Sequence, residues 1–249
     1  SLDNEQSIAY DNAMTKFQNS VRFPVAEAID SFGNTILPAD YTDTNGAKWR
    51  SYIFTSNGSL NVTKEGAFDY LVVAGGGGGG GGDNYAGGGG GGGGVISTDS
   101  PTVIETDIYN VTIGQGGNAG SNDGTIDATN GGNSTFGDMV AFGGGRGSRM
   151  FGSASEGGSG GGGAGMIGYF DNAGASGIIN QGNAGGDGFN SLTGGERSGG
   201  GGGGYSSVGE NAAQNVGGNG GNGITTNIAG ANTIYAAGGG GGRRGISGF

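Results

Sequence analysis

All but four of the 69 glycines in this 249-residue chain follow residue 74, the four being Gly33, Gly46, Gly58 and Gly66. Many stand in uninterrupted tracts, at residues 75–82, 87–94, 199–204 and 238–242. Ordering the backbone of a residue costs roughly 1–2 kcal/mol, and glycine loses the most freedom. Such tracts are therefore either unstructured or ordered by an unusual arrangement of backbone. Between them lie short segments with one or two apolar residues: Val95-Ile96, Val111 and Ile113, Phe136, Met139-Val140, Phe142, Met166-Ile167, Ile178-Ile179, Ile224, Ile228 and Ile234-Tyr235. Flexible Gly/Ser linkers lack this punctuation. Collagen needs glycine at every third position and abundant proline, whereas no proline follows Pro101.

The arrangement that remains is glycine in the polyproline-II conformation, about 3.1 Å per residue, with no hydrogen bonds inside one helix. Glycine keeps its N–H and has no side chain, so neighbouring helices can approach and bond on all sides. One net hydrogen bond of about 1 kcal/mol per residue then roughly offsets the ordering cost. The expected fold is mostly non-regular: a polyglycine-II helix lattice over residues 75–249, its edges stapled by the apolar residues.

Ahead of the tracts the pattern changes twice. Residues 1–32 read as helical. Asp3 can cap the start with Gln6 three residues on, and Ala9, Ala13, Phe17 and Val21 form an i, i+4 stripe joined by Met14. Pro24 interrupts it, and Val25, Ala28, Ile29 and Phe32 form a second short apolar face. The stripe is narrow, suited to docking on a partner, to packing with copies of itself in a homo-oligomer, or to packing on the same chain. Residues 47–74 read as a small antiparallel β-sheet with strands at 49–55, 60–63 and 68–73. Asn57-Gly58 supplies a positive-φ turn between the first two. The predicted divisions are thus an attachment segment (1–46), a sheet (47–74) and a glycine-rich domain (75–249).

Composition removes several functions. There is no Cys and no His, so disulfides, Cys nucleophiles and His acid/base chemistry are excluded. A net charge of −11 with scattered cations makes a poor nucleic-acid binder. No apolar run reaches the length of a membrane helix, and no basic n-region with an apolar h-region opens the sequence. Membrane insertion and a secretory signal are not expected.

Two motifs invite a cofactor or a metal. The run from Val72 to Gly80 formally matches the dinucleotide fingerprint, but the glycines beyond it cannot sustain the helix that would face the pyrophosphate. Residues 185–193 and 217–225 approach the calcium-binding nonapeptide, yet both place Asn (Asn190, Asn222) where the ligating Asp belongs, and they are not in tandem. No cofactor, metal or catalytic residue is expected. A calcium-dependent extracellular protein remains an alternative reading.

The order of these features resembles a known family. "WRSYIFTSNGSLNVTKEGAFDYLVVAGGGGGGGG" looks like the entry to the glycine-rich domain of tailed-bacteriophage tail-fibre proteins. "VTIGQGGNAG" (111–120) and "GGNSTFGDMVAFGGGRG" (131–147) resemble its later parts. It is similar to the polyglycine-II adhesins at fibre tips, whose inter-helix loops touch the host. The resemblance implies a virion protein that recognises a bacterial surface receptor, an outer-membrane protein or a glycan, with residues 1–46 joining it to a fibre shaft or another virion protein. A purely structural virion part, a fibre connector or capsid decoration, is the alternative. The residues themselves make the connecting loops the place to look for contacts. Arg, Tyr and Phe are enriched at recognition hot spots. The candidates are Arg149, Met150, Phe151, Tyr169, Phe170, Asp171, Phe189, Arg197 and Tyr205.

Overall fold

The structure is a computed structural model that describes residues 24–249, apart from 43–45, 47, 83–85, 99, 124, 150, 167–171, 192–195 and 245–249. The described residues contain no helix. The strands before the first glycine tract are β1 (Val25–Asp30), β2 (Thr35–Ile36), β3 (Ala39–Thr42), β4 (Lys48–Ser51), β5 (Gly58–Lys64), β6 (Gly66–Phe68) and β7 (Leu71–Val73). Beyond it come β8 (Val95–Ser97), β9 (Thr102–Ile104), β10 (Asp107–Thr112), β11 (Ser134–Phe136) and β12 (Met139–Ala141). Short pairs close the chain: β13 (Arg197–Ser198), β14 (Ile224–Thr226), β15 (Thr233–Tyr235) and β16 (Arg243–Arg244).

One six-stranded antiparallel sheet, in the order β12-β11-β10-β5-β1-β2, holds the hydrophobic core. It draws on residues well to either side of 47–74. In β5, Leu60 and Val62 are buried while Asn61 and Thr63 alternate outward. Ala28, Val111, Phe136 and Ala141 complete the buried face with Val72, Ala74 and Ile104. Phe68, Tyr70 and Tyr109 gather around Phe136, the Tyr109 ring stacking on it at 5.2 Å between centroids.

Four local expectations change here. Residues 25–30 form a strand, and Val25, Ala28 and Ile29 do not share a face: Ala28 is buried, Val25 and Ile29 are exposed. The spacing suited a helix, but β1 is committed by its full-length pairing with β5. Phe32, 85% exposed, lies beyond the strand. There Asp30 Oδ1 accepts the N–H groups of Phe32 and Asn34, and Gly33 takes a φ of 84°. The rest of the helical reading of residues 1–32, over residues 1–23, lies outside the described residues.

Asn57-Gly58 is not a hairpin turn. Gly58 opens β5 between Asp30 and Val111, where a β-carbon would sit 2.1 Å from the Ile29 carbonyl oxygen. The glycine serves close approach, and Asn57 Oδ1 accepts the Ile113 N–H at 2.8 Å. The strand expected at 49–55 ends at Ser51 and pairs with β3; beyond it, Tyr52 donates its hydroxyl to the Ala26 carbonyl at 2.6 Å. The strand expected at 68–73 divides at Asp69-Tyr70, β6 pairing with β9 and β7 with β8.

The β7–β8 pairing makes residues 75–94 one excursion away from the sheet and back. Its two arms bond at every third residue: the N–H of Ala74, Gly77 and Gly80 donates to the carbonyl of Gly94, Gly91 and Gly88, at 2.9–3.0 Å. The same step of three recurs throughout the glycine-rich region. Residues 199–204, buried along their whole length, show it most fully. They bond to the segments around residues 89–92, 160–163, 183–186, 207–210, 218–221 and 236–242. Gly89 and Gly92, for example, donate to Gly200 and Gly203, and Gly199 and Gly202 donate to Gly242 and Gly239. Buried peptide groups are thus satisfied by neighbouring segments on all sides, with no side chain between them.

The edges of this stack are finished largely by polar side chains. Asn130 and Asn133 accept the N–H groups of Arg146 and Gly143, and Asp187 and Asn211 accept those of Gly174 and Asp187. Of the apolar residues expected to staple the edges, Val95, Phe136 and Met166 are buried, while Ile179 and Ile234 are 84% and 65% exposed.

Candidate functional site

The hydrogen-bond registers give each segment a direction. Residues 75–82 leave the sheet. Gly117 and Gly120 donate to Gly76 and Gly79, and Gly144 and Gly147 to Gly75 and Gly78, so these two segments run outward as well. Residues 87–94 return, and Gly89 and Gly92 donating to Gly200 and Gly203 makes 199–204 a returning segment. Followed along the chain, the described residues of the connections 121–127, 148–152, 188–197 and 212–216 fall at the end remote from the sheet. Those at 178–182, 205–207 and 224–235 fall at the sheet end.

Of the nine candidate contact residues, Arg149, Phe151, Phe189 and Arg197 thereby come to one end. Arg149 is half-buried and paired with Asp127, which Arg146 also approaches at 3.5 Å. Phe151 is 63% exposed with a φ of 57°, a conformation a bulky residue rarely adopts. It is held by a turn in which the Gly152 N–H donates to the Arg149 carbonyl, at 3.1 Å, and the Ser148 hydroxyl donates to the Gly152 carbonyl. The Phe151 N–H itself points to the Met166 sulfur at 3.3 Å. Phe189, half-buried, bridges to Ser198, its N–H donating to the Ser198 carbonyl at 2.7 Å. Met150, Tyr169, Phe170 and Asp171 lie outside the described residues.

Two candidates stand apart from Arg149, Phe151 and Phe189. Arg197 is only 3% exposed, enclosed in β13 where it pairs with β16, so it offers no surface to a partner. Tyr205 is at the sheet end, its N–H bonded to the Ala236 carbonyl.

The sequence gives no local signal for the polar groups that frame this end. Asp127 meets its two arginines from about 20 residues away, through the stacking of segments. Glu196 accepts from the Gln214 side chain at 2.6 Å, and Arg243 donates to the Asn215 carbonyl at 3.3 Å. Hydrogen bonds from Asn215 and Gln214, with Arg243 nearby, hold the Glu196 carboxyl below the usual carboxylate range. Asp123 is the exception, since Ser-Asn-Asp-Gly-Thr reads as a turn. Its carboxyl accepts from the Ser121 hydroxyl and from the Thr125 N–H and hydroxyl, which lowers its pKa to about 2. What this end offers is an exposed aromatic ring and charges already in partnership, held on a backbone framework.

A family model described as a glycine-rich domain matches residues 55–248. The chain belongs to the glycine-rich domain family. The family match begins at Thr55, after β1 to β4, although β1 is the partner of β5 along its length. Comparisons of this glycine-rich domain protein with curated proteins and with solved structures give no match.

Proposed function

We propose that this protein is the tip, or adhesin, of a bacteriophage tail fibre, and that its glycine segments form a polyglycine-II lattice carrying recognition loops at the end remote from the sheet. The conformational reading is supported by the bonding step of three. A helix with three residues per turn aims the peptide groups of residues i, i+3 and i+6 in one direction, so each neighbour is met at every third residue. Six bonded neighbours around residues 199–204 are what hexagonal packing of such helices requires.

The observation that carries the functional reading is the separation of ends. The N-terminal strands belong to the sheet, while Arg149, Phe151 and Phe189 sit in connections at the opposite end. In this reading residues 1–46 join the fibre shaft or another virion protein. The remote connections meet a bacterial surface molecule, an outer-membrane protein or a glycan, and the action is recognition without chemistry.

The test is binding of the purified protein to susceptible cells and to cells lacking the receptor. Selective binding to susceptible cells is expected, with loss of about tenfold or more on Phe151→Gly, the scale of an aromatic hot spot. Glycine accepts the φ of 57°, so that variant keeps the turn. Equal binding to both cell types overturns the adhesin reading. Unchanged binding by Phe151→Gly removes Phe151 from the contact surface.

A further inference from the structure

A recess lies at the sheet end, where the β7–β8 ladder passes into the glycine segments. It is an open hollow of about 440 Å³ lined by Ile96, Ser97, Ile179, Asn180, Gln181 and Tyr205, a size that suits one or two small rings. Its floor is fixed. Gln181 donates its side-chain amide to the Val140 carbonyl at 2.9 Å and accepts the Phe142 N–H at 2.8 Å, and its own carbonyl accepts the Val95 N–H at 3.0 Å. The wall is a tight turn in which the Gln181 N–H donates to the Ile178 carbonyl at 3.0 Å. Asn180 there has a φ of 64°, and Ile179 is 84% exposed. Such a turn presents two unlike side chains at a defined position, at the cost of a left-handed residue.

The chemistry of the lining is selective. It contains an aromatic ring, two isoleucines, two hydroxyls and two amides, and no Asp, Glu, Lys or Arg. Among the described residues, the Ser97 hydroxyl, the Asn180 amide and the Tyr205 hydroxyl have no hydrogen bond of their own. A charged ligand would find no counter-ion here, and a purely apolar one would leave those polar groups unsatisfied. A neutral sugar ring answers both conditions, with apolar C–H faces to lie on Tyr205 and hydroxyls for Ser97 and Asn180.

We propose that this recess binds a neutral hexose or N-acetylhexosamine unit of a glycan, with Tyr205 as its stacking residue and Asn180 as its polar contact. The site is independent of the remote connections: Tyr205 stands at the opposite end from Phe151.

The test is saturation-transfer NMR on the full chain with maltotriose and N,N′-diacetylchitobiose as probes, and a sialylated trisaccharide as the charged comparison. Binding of at least one neutral probe, with a Kd on the order of 1 mM, is expected. Tyr205→Phe should retain it, while Tyr205→Leu and Asn180→Gly should each weaken it about tenfold. Asn180→Gly keeps the positive φ, so the turn survives. Ile179→Glu, at an exposed position, should weaken neutral binding without altering the fold. No transfer to either neutral sugar, stronger binding of the charged one, or full binding by Tyr205→Leu overturns the proposal. None of these outcomes bears on cell binding through Phe151.

Discussion

Gly202 and Gly79 belong to the same stack, yet a methyl group would meet different surroundings at each. At Gly202 a β-carbon would lie 2.0 Å from the Gly90 carbonyl oxygen and 2.4 Å from its carbon; at Gly79 nothing is nearer than the Gly88 oxygen at 3.8 Å. The neighbour at Gly202 is backbone, bonded on into further segments, and cannot yield locally. Gly202→Ala should therefore cost about 3 kcal/mol, in the range of overpacking that forces backbone shifts. Gly79→Ala should be neutral or stabilising by up to about 1 kcal/mol, through its effect on the unfolded chain. Urea unfolding of the two variants checks this, and equal losses would mean that the stack relaxes as a whole. Asp123 supports a second expectation at this scale. Its folded pKa of about 2 lies below the ordinary 3.8, so its contribution is present above pH 4 and is lost as pH falls through 2. The carboxyl carbon should titrate with a midpoint near 2 by NMR. Asp123→Ala should abolish that signal and speed exchange of the Thr125 amide, which now donates to it at 3.0 Å.

At the scale of elements, β1 determines whether β5 is an interior strand. β5 lies between β1 and β10, and Leu60 and Val62 point into the core beside Ala28. A chain beginning at Thr55, where the family match begins, would leave the ladder groups of β5 open along one side and uncover Leu60 and Val62. We expect it to aggregate, whereas a chain beginning at Pro24 stays monodisperse; size-exclusion chromatography separates the outcomes. The same element shows which features were legible in advance. The strand expected at 60–63 lies within β5, and the end of the one expected at 68–73 is β7; both are visible in their β-branched residues, as are the glycine segments and the apolar joints between them. The partner of 58–64 is not, because its pairing with 25–30 and 107–112 is non-local and nothing near Gly58 encodes it. Val25, Ala28 and Ile29 fit a helical spacing equally well, and only the pairing decides. Arg149 and Phe151 are legible as connection residues because they interrupt a glycine run, where a connection must fall. Arg197 carries the same signal, but its pairing with Arg244 from the far end of the sequence encloses it.

Over the whole molecule, two kinds of interior coexist. The sheet buries apolar side chains in the ordinary way, whereas the glycine segments bury peptide groups against peptide groups, as in residues 86–95 and 199–204. These interiors differ in what unfolding exposes. Apolar surface raises the heat capacity by about 0.45 cal/K/mol per Å², and polar surface lowers it by about 0.26. Unfolding the stack exposes mainly N–H and C=O groups, so its two contributions oppose each other. The heat-capacity change per residue should therefore fall well below the 12–15 cal/mol/K usual for globular proteins. Stability should also persist further on cooling, since less of it rests on the hydrophobic term that weakens toward low temperature. Differential scanning calorimetry at several pH values gives the slope of enthalpy against melting temperature. A slope in the ordinary globular range would mean that apolar burial, rather than the peptide network, holds the glycine-rich region together. A low slope would match an interior built from backbone, in which the outer connections can vary without disturbing what holds them in place.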